Sequence, residues 1–152
     1  MRAYRLSRPE YASTALEGIG AKLFPGRWNR KGVAMVYLGE HVSLAMLEIL
    51  VHMNLADVPA GHRLQTFEVP DGEIYRLPES DWPDGWNELP YRDTVREAGS
   101  RFVSEGKHLA MAVPSAIAPG ERNILLNPLH PRIARVALVS DQPLTFDGRL
   151  LK

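Results

Sequence analysis

"VAMVYLGEHVSLAMLEILVH", Val33 to His52, is the stretch whose reading decides the fold. Its first part, "VAMVYLG", is apolar at nearly consecutive positions through Gly39, as in a strand buried on both faces. Its second part, "VSLAMLEILVH", places eight apolar residues among eleven and predicts a helix running to about Asn54, with Ser43 as N-cap. A two-sided strand that feeds an apolar helix belongs to a sheet with helices on it. Glu48 stands in the middle of that helix, four residues after Leu44 and therefore on the same side. Such a carboxylate either snorkels or pairs with His52, or is held beside an apolar wall for chemistry.

Working outward, "MRAYRL" reads as a first strand ended by Pro9. Residues Glu10 to Gly32 form a glycine-punctuated connection with a helical turn near Tyr11 to Leu16. "RLQTFEV", Arg63 to Val69, alternates as a half-buried strand should, and "EIYRL" is a shorter one. "LPESDWPDGWNELP", Leu77 to Pro90, is a loop carrying two tryptophans. A helix is expected from Tyr91 to Glu105, closed by Gly106, then a strand in "KHLAMAVPS" that stops at Pro114. One or two last strands lie around Gln142 and Pro143. The expected fold is a mixed α/β (α+β) domain over residues 1–152, with roughly six short strands and two or three helices. It lacks the regular alternation of a doubly wound sheet.

Composition narrows the function. The 152 residues carry 18 Lys plus Arg and 18 Asp plus Glu, so no net field favours nucleic acid or anionic membrane. There is no cysteine, which excludes disulfides and thiolate zinc sites and suits a reducing cytoplasm. No apolar run reaches the roughly 18 residues of a membrane helix, and the first residues lack the apolar core of a signal peptide. The histidines show no metal-ligand spacing. "GIGAKL" from Gly18 places Leu23 where a dinucleotide fingerprint needs glycine. A Ser115–His130 dyad lacks the G-x-S-x-G frame.

Three places invite chemistry. Glu48 is the first. In "PGRWNRKG", Pro25 to Gly32, Arg27 is either a surface charge or a planar donor fork for a phosphate, shielded by Trp28. Tyr37 shares the face of Val33 and Met35, where its hydroxyl needs a partner. In "AVPSA" and "ERNILLNPLHP", Ser115 ends a strand and Asn123 and Asn127 flank "ILL"; a polar loop capped by prolines accounts for these equally well.

Together "GRWNRKG…VYLGEHVSLAMLEIL", "VPSA" and "RNILLNPLHP" resemble the RES domain, named for an arginine, a glutamate and a serine in that order. The resemblance covers nearly the whole chain. It implies a largely antiparallel sheet similar to that of ADP-ribosylating enzymes, and a bacterial toxin that consumes NAD+ as substrate, with no cofactor. It also implies an Xre-like DNA-binding antitoxin as partner, so that this chain needs no DNA contact of its own. By motif, the naming residues fall on Arg27, Glu48 and Ser115. Glu48 would stabilise an oxocarbenium-like ribose and Arg27 would neutralise the pyrophosphate. Tyr37 and Ser115 would contact the nicotinamide or its ribose, and Trp28, Asn127 and Arg5 are further substrate-binding positions. The acceptor of ADP-ribose would be water or inorganic phosphate. The alternatives are transfer to a macromolecule, docked on the acidic loop Glu79 to Glu88, or a non-catalytic module that only binds the antitoxin.

Overall fold

The structure, a computed structural model, describes residues 1–54 and 61–151. Seven strands form one sheet: β1 (Arg2–Ser7), β2 (Val36–Gly39), β3 (His62–Glu68), β4 (Ile74–Arg76), β5 (Ala110–Pro114), β6 (Arg122–Leu126) and β7 (Ala137–Leu144). Their order is β4-β5-β6-β2-β1-β3-β7. Every pairing is antiparallel except β4 with β5. Parallel neighbours require a crossover, and helix α3 (Asp93–Glu105) provides it. Two other helices, α1 (Ile19–Leu23) and α2 (Val42–Leu50), flank β2 in sequence.

Strand alternation separates two cores. On one face Ala3, Val36, Leu38, Phe67, Ala110, Ala112, Ile124 and Leu126 pack together with Ala15 and Val136. The opposite face carries the helices. There Met111, Val113 and Leu125 meet Trp28, Val95 and Phe102 under α3, with Trp82 and Trp86 at the margin. Further along, Leu6 and Leu64 meet Ala45 of α2 and Phe146. Gly39 lies directly beneath the start of α2: a Cβ there would stand 2.9 Å from the Ala45 nitrogen. The two helices thus pack on one sheet face, α3 over β5 and β6 and α2 over β1 and β3.

Three expectations need revising. "RNILL" is a central strand, β6, and not a loop: Ile124, Leu125 and Leu126 are wholly buried, with apolar neighbours on both sides. β3 is covered on both faces and not half-buried: Leu64 packs against Ala45 and Phe146 on one face, while on the other Phe67 joins the core and Gln65 donates to the Ala12 carbonyl at 2.9 Å. Helix α2 starts at Val42 after His41, so Ser43 is not its cap, and it ends at Leu50 with a turn following. Gln142 and Pro143 belong to one last strand, and proline is tolerated because β7 is an edge. No helix among the described residues is long and apolar enough to cross a membrane.

Candidate active site

The site begins with the loop that precedes β2. Asn29 is completely buried and ties that loop together. Its Nδ2 donates to the carbonyls of Ala21 (2.8 Å), Val33 (3.1 Å) and Arg30 (3.2 Å). Its Oδ1 accepts the Gly26 N–H at 2.9 Å and the Tyr37 hydroxyl at 2.7 Å. Tyr37 Oη in turn accepts the Trp28 N–H at 3.0 Å. Gly26 is needed there: a Cβ would lie 2.9 Å from that phenolic oxygen. Tyr37 therefore fixes the loop with its hydroxyl, and its half-buried ring is what remains available to a ligand.

Burial, first of all, pushes the Tyr37 phenol well above its ordinary range. The Trp28 N–H and Arg96 oppose this, and the nearby Tyr91 and Glu48 charges add to it. The native state keeps this proton where the unfolded chain has lost it, so stability falls as the pH rises above about 10. Tyr37→Phe should flatten that alkaline loss. It should also cost about 1–3 kcal/mol at neutral pH by stranding the Trp28 N–H and removing one of the two donors to the Asn29 oxygen. Urea midpoints of both proteins from pH 7 to 11 test this; parallel curves would contradict it.

Glu48 lies on the stripe of α2 that also carries the buried Leu44 and Ala45. Its Oε1 accepts the Asn123 Nδ2 at 2.7 Å, across from the start of β6. His52, one turn on, is exposed. The carboxylate is thus aimed along the sheet surface and held by an amide. Asn123 pairs in register with Gly39 on one side and Val113 on the other. Ser115, two residues past Val113, continues that ladder with its N–H on the Glu121 carbonyl at 3.0 Å. Alternation puts its side chain on the Asn123 face of the sheet. Ser115 is buried, and its Oγ accepts N–H bonds from Ile117 (3.2 Å) and Ala118 (3.0 Å). With both lone pairs engaged, what it offers a ligand is its proton.

Arg27 is anchored from an unexpected quarter. Its Nη1 donates to the carbonyls of Trp86 (2.7 Å) and Glu88 (2.9 Å), and its guanidinium lies 4.6 Å from the Tyr91 ring centroid. The tryptophan-bearing loop is therefore part of the Arg27 mounting. Trp82 and Trp86 meet edge to face and pack on the α3 core. The remaining guanidinium edge of Arg27 is left for an anion.

Three residues expected to bind substrate serve the scaffold instead. Trp28 is 2 % exposed and belongs to the core under α3, so Tyr91, not Trp28, covers Arg27. Asn127 lies at the far end of β6, four residues or roughly 13 Å from Asn123. Both of its side-chain groups are used, Nδ2 on the Val103 carbonyl and Oδ1 on the Leu129 N–H, each at 3.0 Å. Arg5 pairs in register with Gln65 on the opposite sheet face. Its side chain bonds Ser7 Oγ and the Tyr37 carbonyl, each at 3.2 Å, and burial lowers its affinity for its proton. Asn123 was noted only for flanking "ILL", and the Tyr91 ring beside Arg27 was not foreseen. Among the described residues no group of three or more His, Cys, Asp or Glu is placed to hold a metal ion.

The RES domain family profile matches residues 2–147. The chain belongs to the RES-domain family. Curated relatives span nearly all of it. "Toxin Res" of Yersinia enterocolitica is 39% identical over 152 residues, covering 99% of each chain. "Toxin Res" of Photorhabdus laumondii is 35% identical, covering 100% of this RES domain and 98% of the relative. The "Prs ADP-ribosylating toxin" of a Sphingobium species is 34% identical, covering 93% and 90%. Among solved structures, the M. tuberculosis MbcT–MbcA toxin–antitoxin complex contains a chain of the same fold, with a TM-score of 0.75 and 21% identity. That match covers 95% of this RES domain and 84% of the other chain. The expected mixed, largely antiparallel α/β architecture is thus the architecture found.

Proposed function

We propose that this RES domain is a toxin that breaks the nicotinamide–ribose bond of NAD+ and passes the ADP-ribose to water or inorganic phosphate. The observation that carries the reading is Glu48, a carboxylate on the sheet-facing side of an apolar helix, with one oxygen fixed by Asn123 at 2.7 Å. In this bond cleavage the electron pair leaves with nicotinamide, which departs neutral because the pyridinium already carried the charge. No general acid is needed for departure. The positive charge that develops on the ribose is what requires stabilising, and a preorganised carboxylate does so without reorganising. Water attacking the anomeric carbon gives ADP-ribose, nicotinamide and one proton; phosphate gives the ADP-ribose 1″-phosphate.

The other residues take complementary roles. Arg27 presents its free guanidinium edge to the pyrophosphate. The Ser115 proton suits the carboxamide oxygen of nicotinamide, and the Tyr37 ring suits its flat face. Asn123 positions Glu48 without touching the reacting bond. Asn123→Ala is expected to slow turnover about tenfold, for one lost positioning hydrogen bond, with little change in KM. Steady-state kinetics on NAD+ check this; unchanged turnover would remove Asn123 from the account.

The partner we propose is an Xre-like DNA-binding antitoxin, in a cytoplasmic toxin–antitoxin pair. The curated relatives named as toxins support this, as does a fold neighbour solved together with an antitoxin. One observation favours a second reading, transfer to a macromolecule: the Sphingobium relative is named an ADP-ribosylating toxin. The test is product analysis after incubation with adenine-labelled NAD+, in plain buffer, with phosphate, and with cell extract. Soluble ADP-ribose or its 1″-phosphate supports the proposal and names the acceptor. Label retained only on extract protein or nucleic acid contradicts it in favour of transfer.

A further inference from the structure

Two charged neighbours of Arg96, Arg92 just before α3 and Glu97 on it, are engaged. Glu97 receives Arg30 at 2.8 Å, and Arg92 pairs with Glu88. Arg96 stands apart from them. Among the described residues its guanidinium donates no hydrogen bond, and its Nε is buried without a partner. Its Cζ lies 5.7 Å from the centroid of the Tyr91 ring. Arg27 lies over the same ring at 4.6 Å. Two cations that share one aromatic ring repel each other unless something anionic lies between or beside them.

The surroundings locate this pair. Arg27 comes from the loop before β2 and Arg96 from α3, so two separate elements converge on Tyr91. The Arg96 charge is also felt at the Tyr37 hydroxyl, as is that of Glu48. Arg96 reaches the same Tyr91 ring as Arg27 and so lies on the side of α3 that faces the loop before β2. A half-buried guanidinium with idle donors loses hydration that protein groups do not replace. A phosphoryl group, which accepts from a planar fork in bidentate fashion, would supply those bonds.

We propose that Arg96 is a second phosphoryl-binding residue, and that Arg96 and Arg27, braced on opposite elements by Tyr91, together grip the pyrophosphate of a dinucleotide. This rests on the NAD+ reading of the site and extends it. It makes the grip depend on α3, and hence on the packing of that helix. The anchor of Arg27 is fixed, since its Nη1 holds two loop carbonyls; Arg96 is the adjustable half of the pair.

The test is binding of ADP-ribose, and of adenosine and nicotinamide riboside as phosphate-free controls, to the wild type, Arg96→Gln and Arg96→Lys. Arg96→Gln is expected to weaken ADP-ribose about tenfold or more, to leave both controls unchanged, and to lessen the salt dependence of binding. Arg96→Lys should recover part of the affinity. In turnover, KM for NAD+ should rise more than kcat falls. Equal loss for ADP-ribose and the controls would show a merely structural residue and overturn the proposal. Undiminished ADP-ribose affinity with loss only of phosphate-dependent turnover would assign Arg96 to the phosphate acceptor instead, and would also overturn it. If the wild type neither binds ADP-ribose nor cleaves NAD+, the reading of the whole site fails. If the wild type does both and Arg96→Gln matches it, only this inference fails.

Discussion

Glu48→Gln should reduce NAD+ turnover by about two decades or more while the protein stays folded. The amide keeps the shape of the carboxylate and removes its charge. The Asn123 Nδ2 that now donates to Oε1 at 2.7 Å can still donate to the Gln oxygen. Only the electrostatic stabilisation of the ribose cation is lost. The change therefore falls on kcat, with KM nearly unaffected, as for an interaction made mainly in the transition state. Release of nicotinamide by the variant, measured beside a thermal melt, separates lost chemistry from lost fold. Retention of wild-type turnover would remove Glu48 from the mechanism.

Gly99→Ala should be the most damaging small substitution in the chain. Helix α3 meets the loop carrying Arg27 so closely that a Cβ at Gly99 would lie 1.8 Å from the Trp28 carbonyl oxygen and 2.8 Å from its carbon. Both are backbone atoms, so no side chain can rotate away. The helix has to withdraw, and Trp28 loses its seat in the core it shares with Val95 and Phe102. Overpacking of this kind costs about 3 kcal/mol, or roughly 10 °C in Tm for a domain of this size. The control is Gly20→Ala on the exposed helix α1, where nothing lies within 4 Å of the added carbon. Calorimetry of both variants should show a large drop for the first and little change for the second. Equal melting would mean that α3 and the loop are not in contact.

"VAMVYLG" announced a strand covered on both faces because nearly every position was apolar, and its second half, Val36–Gly39, is that strand, with Val33 to Met35 leading into it. "NILLN" carried the same signal in three residues, but Asn123, Asn127 and the following prolines made it read as a turn. Those polar residues have particular work at the two ends of β6: Asn123 holds Glu48, and Asn127 closes onto α3. Glu48 stood out because a carboxylate interrupts an apolar helix, and the reason for it is a side chain 75 residues away. No local pattern could reveal that partner.

Arg27 was legible as a donor fork between two glycines, whereas its mounting was not. Trp86, Glu88 and Tyr91 reach it from a segment whose composition suggested only a loop. Trp28, Asn127 and Arg5 were drawn toward the site by their place in recognisable motifs. In the fold they hold the site's frame from behind: Trp28 under α3, Asn127 at the far strand end, Arg5 across the sheet. Arg96 had no motif at all; an idle guanidinium becomes visible only when its neighbours are seen to be paired.

The most direct measurement is nicotinamide release from NAD+ by the purified, folded chain, followed with and without inorganic phosphate. The account expects sustained release over many turnovers in the wild type, with loss in Glu48→Gln. No release by the folded wild type under either condition would contradict it, and would leave the domain as a binding module or as a transferase that lacks its target.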